Sequence, residues 1–109
     1  MIFSQNNEQW QFVEPGIERC IVNWNDELMA VKVRFSHLAV GVAHKHSLHT
    51  QLSYVLAGRF EVRLGDRTCV LETGDSFLAA KECIHGVIAL AEGSVLLDVF
   101  TPVRSDFLA

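Results

Sequence analysis

Apolar and charged residues alternate with a period of two through the middle of this chain. Valine and phenylalanine alternate with lysine and arginine over residues 31–35, and the same alternation returns over residues 59–64. A period of two places successive side chains on opposite faces of a β-strand, so each stretch predicts a strand with one buried face. Glycine- and aspartate-containing turn signals recur at short intervals between such stretches, and no long helical period is present. The sequence therefore predicts an antiparallel all-β sandwich or barrel.

The alternation and the turn signals together predict the strand boundaries. The predicted strands cover residues 17–24, 28–35, 38–46, 51–57, 59–64, 67–71, 76–80, 83–90 and 94–100. Residues 4–11 are compatible with a short helix or an edge strand, and residues 104–109 with a terminal helical turn or a tail.

Length, charge and cysteine content narrow the class of protein. A chain of 109 residues suits one domain, and a net charge of −4 disfavours a nucleic-acid partner. No apolar run approaches the roughly 20 residues of a membrane helix, and the N-terminus has neither the basic nor the apolar region of a signal peptide. Cys20, Cys69 and Cys83 are odd in number and far apart, which predicts reduced thiols in a cytoplasmic protein.

Histidines are concentrated in the stretch HKHSLHTQ, residues 44–51. On a strand, the spacing of His44 and His46 puts both imidazoles on one face, whereas Gln51 reaches the same point only if a turn intervenes. The best candidate for a fourth ligand is His85. Three imidazoles and an amide oxygen form a neutral set that suits one divalent transition metal ion, such as nickel, zinc, iron or manganese. The alternative is a polar surface loop that happens to contain histidines.

The spacing of these residues resembles the two sequence motifs of the cupin superfamily. The first resemblance runs Gly41-x2-His44-x-His46-x4-Gln51-x6-Gly58, with glutamine where glutamate is commonest, and the second runs from Gly74 to His85. In the second, Ala80, Glu82 and Ala89 stand where proline, glycine and asparagine are usual. The resemblance implies one small jelly-roll β-barrel domain over residues 1–109, with its core at about 30–100 and a tail at 101–109. It also implies a metal held by the four candidate ligands.

His49 lies within the same histidine-rich stretch but in its predicted turn. It could line the site, yet a turn position favours an exposed polar residue.

Asp98 interrupts the apolar strand of residues 95–100 and shares its parity with Leu96 and Phe100. A buried carboxylate is costly unless it is paired or protonated, so Asp98 needs a specific role. If this face of the strand lines the interior of the barrel, the side chain of Asp98 points toward the metal. The alternative is a structural aspartate that pairs with an arginine or caps a turn.

Residues 97–108 and the strand at 28–35 resemble the pectin-degradation cupins of the KdgF type, which also have glutamine in the metal set. This resemblance implies a metal-dependent enzyme of the isomerase or tautomerase type. Its substrates would be 4,5-unsaturated uronates released by polysaccharide lyases, which it would convert to linear keto forms. Carried over by position, Asp98 would be the catalytic proton carrier, Phe100 would pack on the sugar and Arg104 would bind its carboxylate.

Two other functions suit the same barrel. One is a cupin that binds a metal or a metabolite without catalysis, as a sensor does, and the other is a cupin dioxygenase. In every case the expected partner is a small molecule, a sugar acid under the leading hypothesis. The resemblance also implies a homodimer, since small cupins commonly pair through edge strands.

Overall fold

The computed structural model describes residues 1–109 and consists of ten β-strands with two short 3-10 helices. The strands are β1 Gln11–Glu14, β2 Ile17–Trp24, β3 Met29–Phe35, β4 Val40–His44, β5 Thr50–Ala57, β6 Arg59–Leu64, β7 Arg67–Glu72, β8 Ser76–Ala79, β9 His85–Ala89 and β10 Ser94–Thr101. The 3-10 helices span Gln5–Asn7 and Ser105–Leu108. Thus a short helix and an edge strand both form near the N-terminus, and the tail ends in a helical turn.

The strands form two antiparallel sheets. One has six strands in the order β1-β2-β3-β10-β5-β8, and the other has four in the order β4-β9-β6-β7. The chain passes from one sheet to the other at six connections, which are every connection from β3 to β10 except that between β6 and β7. This confirms the predicted small antiparallel jelly roll, whose two sheets enclose a common interior.

Alternating side chains from both sheets fill that interior. On β10, Ser94, Leu96, Asp98 and Phe100 are buried while their neighbours are half-buried or exposed, as a period of two requires. The main apolar cluster lies between the sheets, where Phe35 and Phe60 meet edge to face with ring centroids 5.1 Å apart. The main apolar cluster therefore occupies one end of the interior, and Asp98 of β10 lies with Gln51 and Ser53 of β5 toward the other end.

Two predicted strands are shorter than expected. The strand predicted at 38–46 spans only Val40–His44, and that predicted at 83–90 spans only His85–Ala89. Outside them, the backbone N–H of Leu38 bonds to the carbonyl of Ala89, and that of Glu82 bonds to the carbonyl of His46. The backbone N–H groups of Leu38 and Glu82 are thus paired outside the regular strand hydrogen bonds. An alternation of apolar and polar residues does not predict such contacts.

Candidate metal centre and active site

His44 and His85 face each other across β4 and β9, where they are register partners. Their ring centroids are 4.5 Å apart. The register shifts between Gly41 and His44, so β4 contains a bulge at this point. A bulge changes which side chains of a strand share a face. Because of it, His44 stands opposite His85, which an unbroken register from Gly41 opposite Val87 would not produce.

His46 lies beyond the end of β4. His44 and His46 are therefore not aligned by strand parity, contrary to the prediction from their spacing, although the two rings do meet, with centroids 4.8 Å apart. The N–H of Glu82 donates to the carbonyl of His46 over 2.8 Å and holds this segment in place. Glu82 has a φ of 69°, in the left-handed region, and it occupies the position where the cupin motif usually has glycine.

Gln51 approaches the three histidines from the opposite sheet, at the beginning of β5. Its Oε1 lies 3.1 Å from Nε2 of His46 and 3.1 Å from Nε2 of His85. Ligand atoms of His44, His46 and His85 all lie within 4.8 Å of one another. The structure thus brings together all four residues that the sequence analysis selected as ligands, and their binding of a metal remains a prediction.

The donor set around His85 fits a cation. Nδ1 of His85 lies 3.0 Å from the carbonyl oxygen of Cys83, while its Nε2 faces the amide oxygen of Gln51. A neutral imidazole has one N–H and cannot donate to both oxygens. Burial lowers the pKa of His85 and lowers that of His46 to about 4, so both rings are neutral near pH 7. With Nδ1 donating to Cys83, Nε2 of His85 presents a lone pair 3.1 Å from Oε1 of Gln51, so both atoms are available to bind one metal ion.

Asp98 is connected to Gln51 through Ser53. The hydroxyl of Ser53 donates to Oδ1 of Asp98 over 2.6 Å and accepts from Nε2 of Gln51 over 3.0 Å. Ser53 is not among the site residues predicted from the sequence. Its parity with Gln51 on β5, two residues away, was the available signal, but only the pairing of β5 with β10 shows that Ser53 lies opposite Asp98.

The environment of Asp98 favours its protonated form. Burial raises the pKa of this carboxyl group to about 6, and the hydrogen bond from Ser53 and the charge of Arg104 oppose the rise only in part. Asp98 lines a cavity of about 390 Å³ together with His44, Gln51 and His85. A carboxyl group with this pKa can both accept and release a proton near neutral pH.

Phe100 and Arg104 lie beside the histidine cluster, where the C-terminal segment packs against it. The ring of Phe100 is buried and meets that of His46 edge to face, with centroids 6.0 Å apart. Arg104 places its guanidinium carbon 5.0 Å from the centroid of Phe100 and 4.2 Å from that of Phe107. Its side chain is only 15% exposed, so Arg104 is not the free surface arginine that its place near the terminus would suggest.

The guanidinium of Arg104 already has one carboxylate partner. Its Nε and one terminal nitrogen donate to the two carboxylate oxygens of Asp106 over 3.0 and 2.9 Å. A guanidinium carries five N–H groups, so the edge formed by its two terminal nitrogens is left for a second carboxylate.

His49 lies in the turn between β4 and β5 but is half-buried, where an exposed residue was expected. Its Nε2 lies 3.2 Å from the carbonyl oxygen of Val103, and its ring centroid is 5.8 Å from that of His46. His49 therefore contacts the C-terminal segment, and it is not part of the close group of ligand atoms.

Comparison with known proteins places this arrangement in a family. The Cupin domain pattern matches residues 31–100. The chain belongs to the cupin family. This cupin is 46% identical to the pectin degradation protein KdgF of Dickeya dadantii (strain 3937) over 106 residues, which are 97% of the chain and 96% of the relative.

Two solved structures resemble this cupin over nearly its whole length. KdgF from Halomonas sp. superposes with a TM-score of 0.96 at 43% identity, covering 98% of this chain and 97% of that one. An RmlC-like cupin from Shewanella frigidimarina NCIMB 400 superposes with a TM-score of 0.90 at 38% identity, covering 96% and 94%. The similarity thus extends beyond the barrel core to the termini, including the segment that contains Arg104.

Other sequence expectations concern the cysteines and membrane segments. Cys20 is buried, Cys83 is half-buried and Cys69 is exposed, and all three are free thiols, as predicted. The structure has no helix with the length and apolarity needed to cross a membrane.

Replacing Gly86 with alanine is expected to lower the metal affinity of this cupin about tenfold or more. The hydrogen bond between Ser53 and Asp98 should be little affected. An added Cβ would lie 2.9 Å from the Cα of Ala43 on the facing strand, so β4 and β9 must separate beside the His44–His85 pair. Titration with Zn²⁺ in competition with a chromophoric chelator measures the affinity. Gly65→Ala is the control for backbone strain without a clash, since Gly65 has a φ of 61° and its Cβ would meet no atom within 4 Å. Equal affinities for both variants would contradict the prediction.

Proposed function

We propose that this cupin converts 4,5-unsaturated uronates to linear keto acids by ring opening and tautomerisation, as part of polysaccharide degradation. Support comes from the 46% identity over nearly the full length to a pectin degradation protein. The deciding structural observation is that Asp98, buried and with a pKa of about 6, lines the same cavity as His44, Gln51 and His85.

The proposed reaction is an isomerisation that needs no co-reactant. The C1 hydroxyl of the cyclic hemiacetal loses its proton and becomes an aldehyde as the bond between C1 and the ring oxygen breaks. The ring oxygen keeps the electron pair as an enolate at C5. A proton then adds at C4, so the C4=C5 double bond is replaced by a C5 ketone beside the carboxylate. One proton leaves an oxygen and one arrives at carbon, which a single group of intermediate pKa can accomplish.

Asp98 is the proposed proton carrier. Its Oδ1 accepts a hydrogen bond from Ser53, and the other carboxyl oxygen would exchange the proton with substrate. In its ionised form Asp98 would take the proton of the C1 hydroxyl, and once protonated it would donate to C4. Burial keeps the two forms close in free energy near neutral pH.

Arg104 and Phe100 are the proposed substrate-binding residues. The free edge of the Arg104 guanidinium can bind the uronate carboxylate through two parallel hydrogen bonds. The buried ring of Phe100 lies between Arg104 and His46, in contact with both, and we propose that it packs against one face of the sugar bound beside them.

A divalent transition metal is the proposed cofactor, held by His44, His46, Gln51 and His85. The ligands are uncharged, so a bound ion keeps its positive charge and would stabilise the negative charge that develops on the enolate oxygen. Nickel, zinc, iron and manganese all suit this donor set.

The test is the absorbance of the C4=C5 chromophore of an unsaturated uronate. We expect the metal-loaded protein to remove this absorbance faster than the spontaneous rate, because enolate formation and protonation at C4 are both assisted. Unsaturated monomers from pectin, alginate and glycosaminoglycans, assayed side by side, would identify the preferred source. Spontaneous rates with every monomer and every candidate metal would contradict the proposal.

We also propose that the protein is a homodimer. Apolar side chains are exposed on the outer face of the six-stranded sheet at Leu52, Leu56 and Leu78, and an exposed apolar face favours self-association. Light scattering coupled to size-exclusion chromatography is expected to give twice the chain mass of 12.2 kDa. A mass equal to that of one chain would contradict the dimer.

A further inference from the structure

Ser53 is a completely buried hydroxyl between a candidate metal ligand and the candidate proton carrier. Its Oγ lies 2.6 Å from Oδ1 of Asp98 and 3.0 Å from Nε2 of Gln51. No buried side-chain nitrogen or oxygen in the protein lacks a hydrogen-bond partner, so each buried polar atom in this chain of contacts has at least one. Each of its members therefore constrains the next.

The direction of these hydrogen bonds determines how the Gln51 amide is oriented. A hydroxyl has one proton, and that of Ser53 is donated to the carboxylate of Asp98. Toward Gln51, Ser53 can then only accept, so it must face the NH₂ group of the amide. The opposite end of the amide, Oε1, consequently faces Nε2 of His46 and of His85.

We infer that Ser53 is a positioning residue that keeps the oxygen of Gln51, and not its NH₂ group, directed at the metal. This inference rests on the metal centre proposed above. An amide has only one atom able to bind a metal, and a rotation of its terminal group by half a turn would replace that atom with a donor. A carboxylate has two equivalent oxygens and needs no such control. Glutamine at this position, where most cupins have glutamate, thus creates a requirement that Ser53 meets.

The test is the Zn²⁺ affinity of Ser53→Ala, measured at pH 8 against a chromophoric chelator, in two backgrounds. With Gln51 in place, removal of the hydroxyl is expected to lower the affinity about tenfold or more, the usual effect of losing a partner of a metal ligand. In the Gln51→Glu background, the same substitution is expected to change the affinity by less than about threefold, because either carboxylate oxygen can bind. Equal losses in both backgrounds would overturn the inference.

Ser94→Ala is the matched control. Ser94 is also completely buried, but its hydroxyl bonds only to backbone groups of Ala91 and Arg59. It is expected to lose thermal stability without losing Zn²⁺ affinity. If Ser53→Ala does not fold, Ser53→Thr replaces it, and since threonine retains the hydroxyl, its Zn²⁺ affinity should match the wild type. A tenfold loss in folded Ser53→Thr would also overturn the inference.

The outcome is independent of catalysis. Because the measured quantity is Zn²⁺ affinity, absence of uronate conversion would contradict the proposed function and leave this inference standing. A wild-type protein that does not bind Zn²⁺ would overturn the inference itself.

Discussion

Asp98→Asn is expected to lower kcat for loss of the C4=C5 chromophore by about 10²- to 10⁴-fold, the contribution typical of a general acid or base. The amide keeps the size of the carboxyl group and an oxygen that can accept from Ser53, so the hydrogen bonds that orient Gln51 remain. It cannot carry a proton between the C1 hydroxyl and C4. We therefore expect the bound metal, measured by elemental analysis, to stay at the wild-type level.

The same variant is expected to be more stable than the wild type when metal is absent. Because burial raises the pKa of Asp98 from 3.8 to about 6, the folded protein binds this proton more tightly than the unfolded chain does. The free energy of unfolding therefore falls as the pH rises from about 4 to about 6 and stays lower above it, by roughly 2–3 kcal/mol. Asparagine does not titrate, so the free energy of unfolding of Asp98→Asn does not fall in this way. Urea unfolding should show the gain at pH 8 and none below about pH 4.

Two results would contradict the role assigned to Asp98. Loss of metal together with activity would make Asp98 a support of the metal centre. Activity within a few-fold of wild type would show that another group transfers the proton. Asp75→Asn is a suitable control, since this exposed carboxylate accepts only from the backbone N–H of Glu72 in a turn.

His46→Ala is expected to have the second large effect, the loss of metal binding and of the catalysis that depends on it. Removal of one of four ligands should lower Zn²⁺ affinity at least about a hundredfold, beyond the range seen when only a partner of a ligand is lost. His46 is half-buried, lies outside the strands, and its ring meets those of the other histidines and Phe100, so the fold should persist. Chelator competition measures the affinity, and circular dichroism measures the fold.

Two histidine variants serve as controls for His46→Ala. His37→Ala alters an exposed ring, and only the backbone N–H of His37 is bonded, to Glu92. His49→Ala removes a ring that contacts His46 and the Val103 carbonyl without joining the close group of ligand atoms. Both should bind Zn²⁺ within about threefold of wild type. If His49→Ala lost metal as His46→Ala does, the four-residue ligand set would be wrong.

Local patterns in the sequence were sufficient for most of the fold. Burial of one strand face imposes a period of two, and turns with glycine or aspartate end several of the strands, so both signals are visible in short stretches of sequence such as residues 59–66. Strand ends were less predictable. His46 lies outside β4 because its carbonyl bonds to Glu82, which is 36 residues away and invisible to a local pattern.

Motif spacing selected the four candidate ligands, and a lone carboxylate in an apolar strand selected Asp98. For His44 and His46, however, the predicted geometric reason was wrong. Strand parity does not align them. A bulge in β4 sets His44 opposite His85, and a backbone hydrogen bond outside the sheet holds the segment of His46. Bulges depend on how two strands pair, so they are decided by tertiary contacts.

By itself the sequence determined the all-β class, the approximate strand positions and the residue types suited to a neutral metal site, because these depend on local periodicity and on the chemistry of side chains. Only the tertiary structure decided that Ser53 links Gln51 to Asp98, and that Asp106 occupies one edge of Arg104. The link through Ser53 joins strands β5 and β10, and the Arg104–Asp106 pair depends on how the tail packs against Phe100. Hydrogen bonds of this kind require an accuracy of about half an ångström, which only the packing of the whole barrel provides.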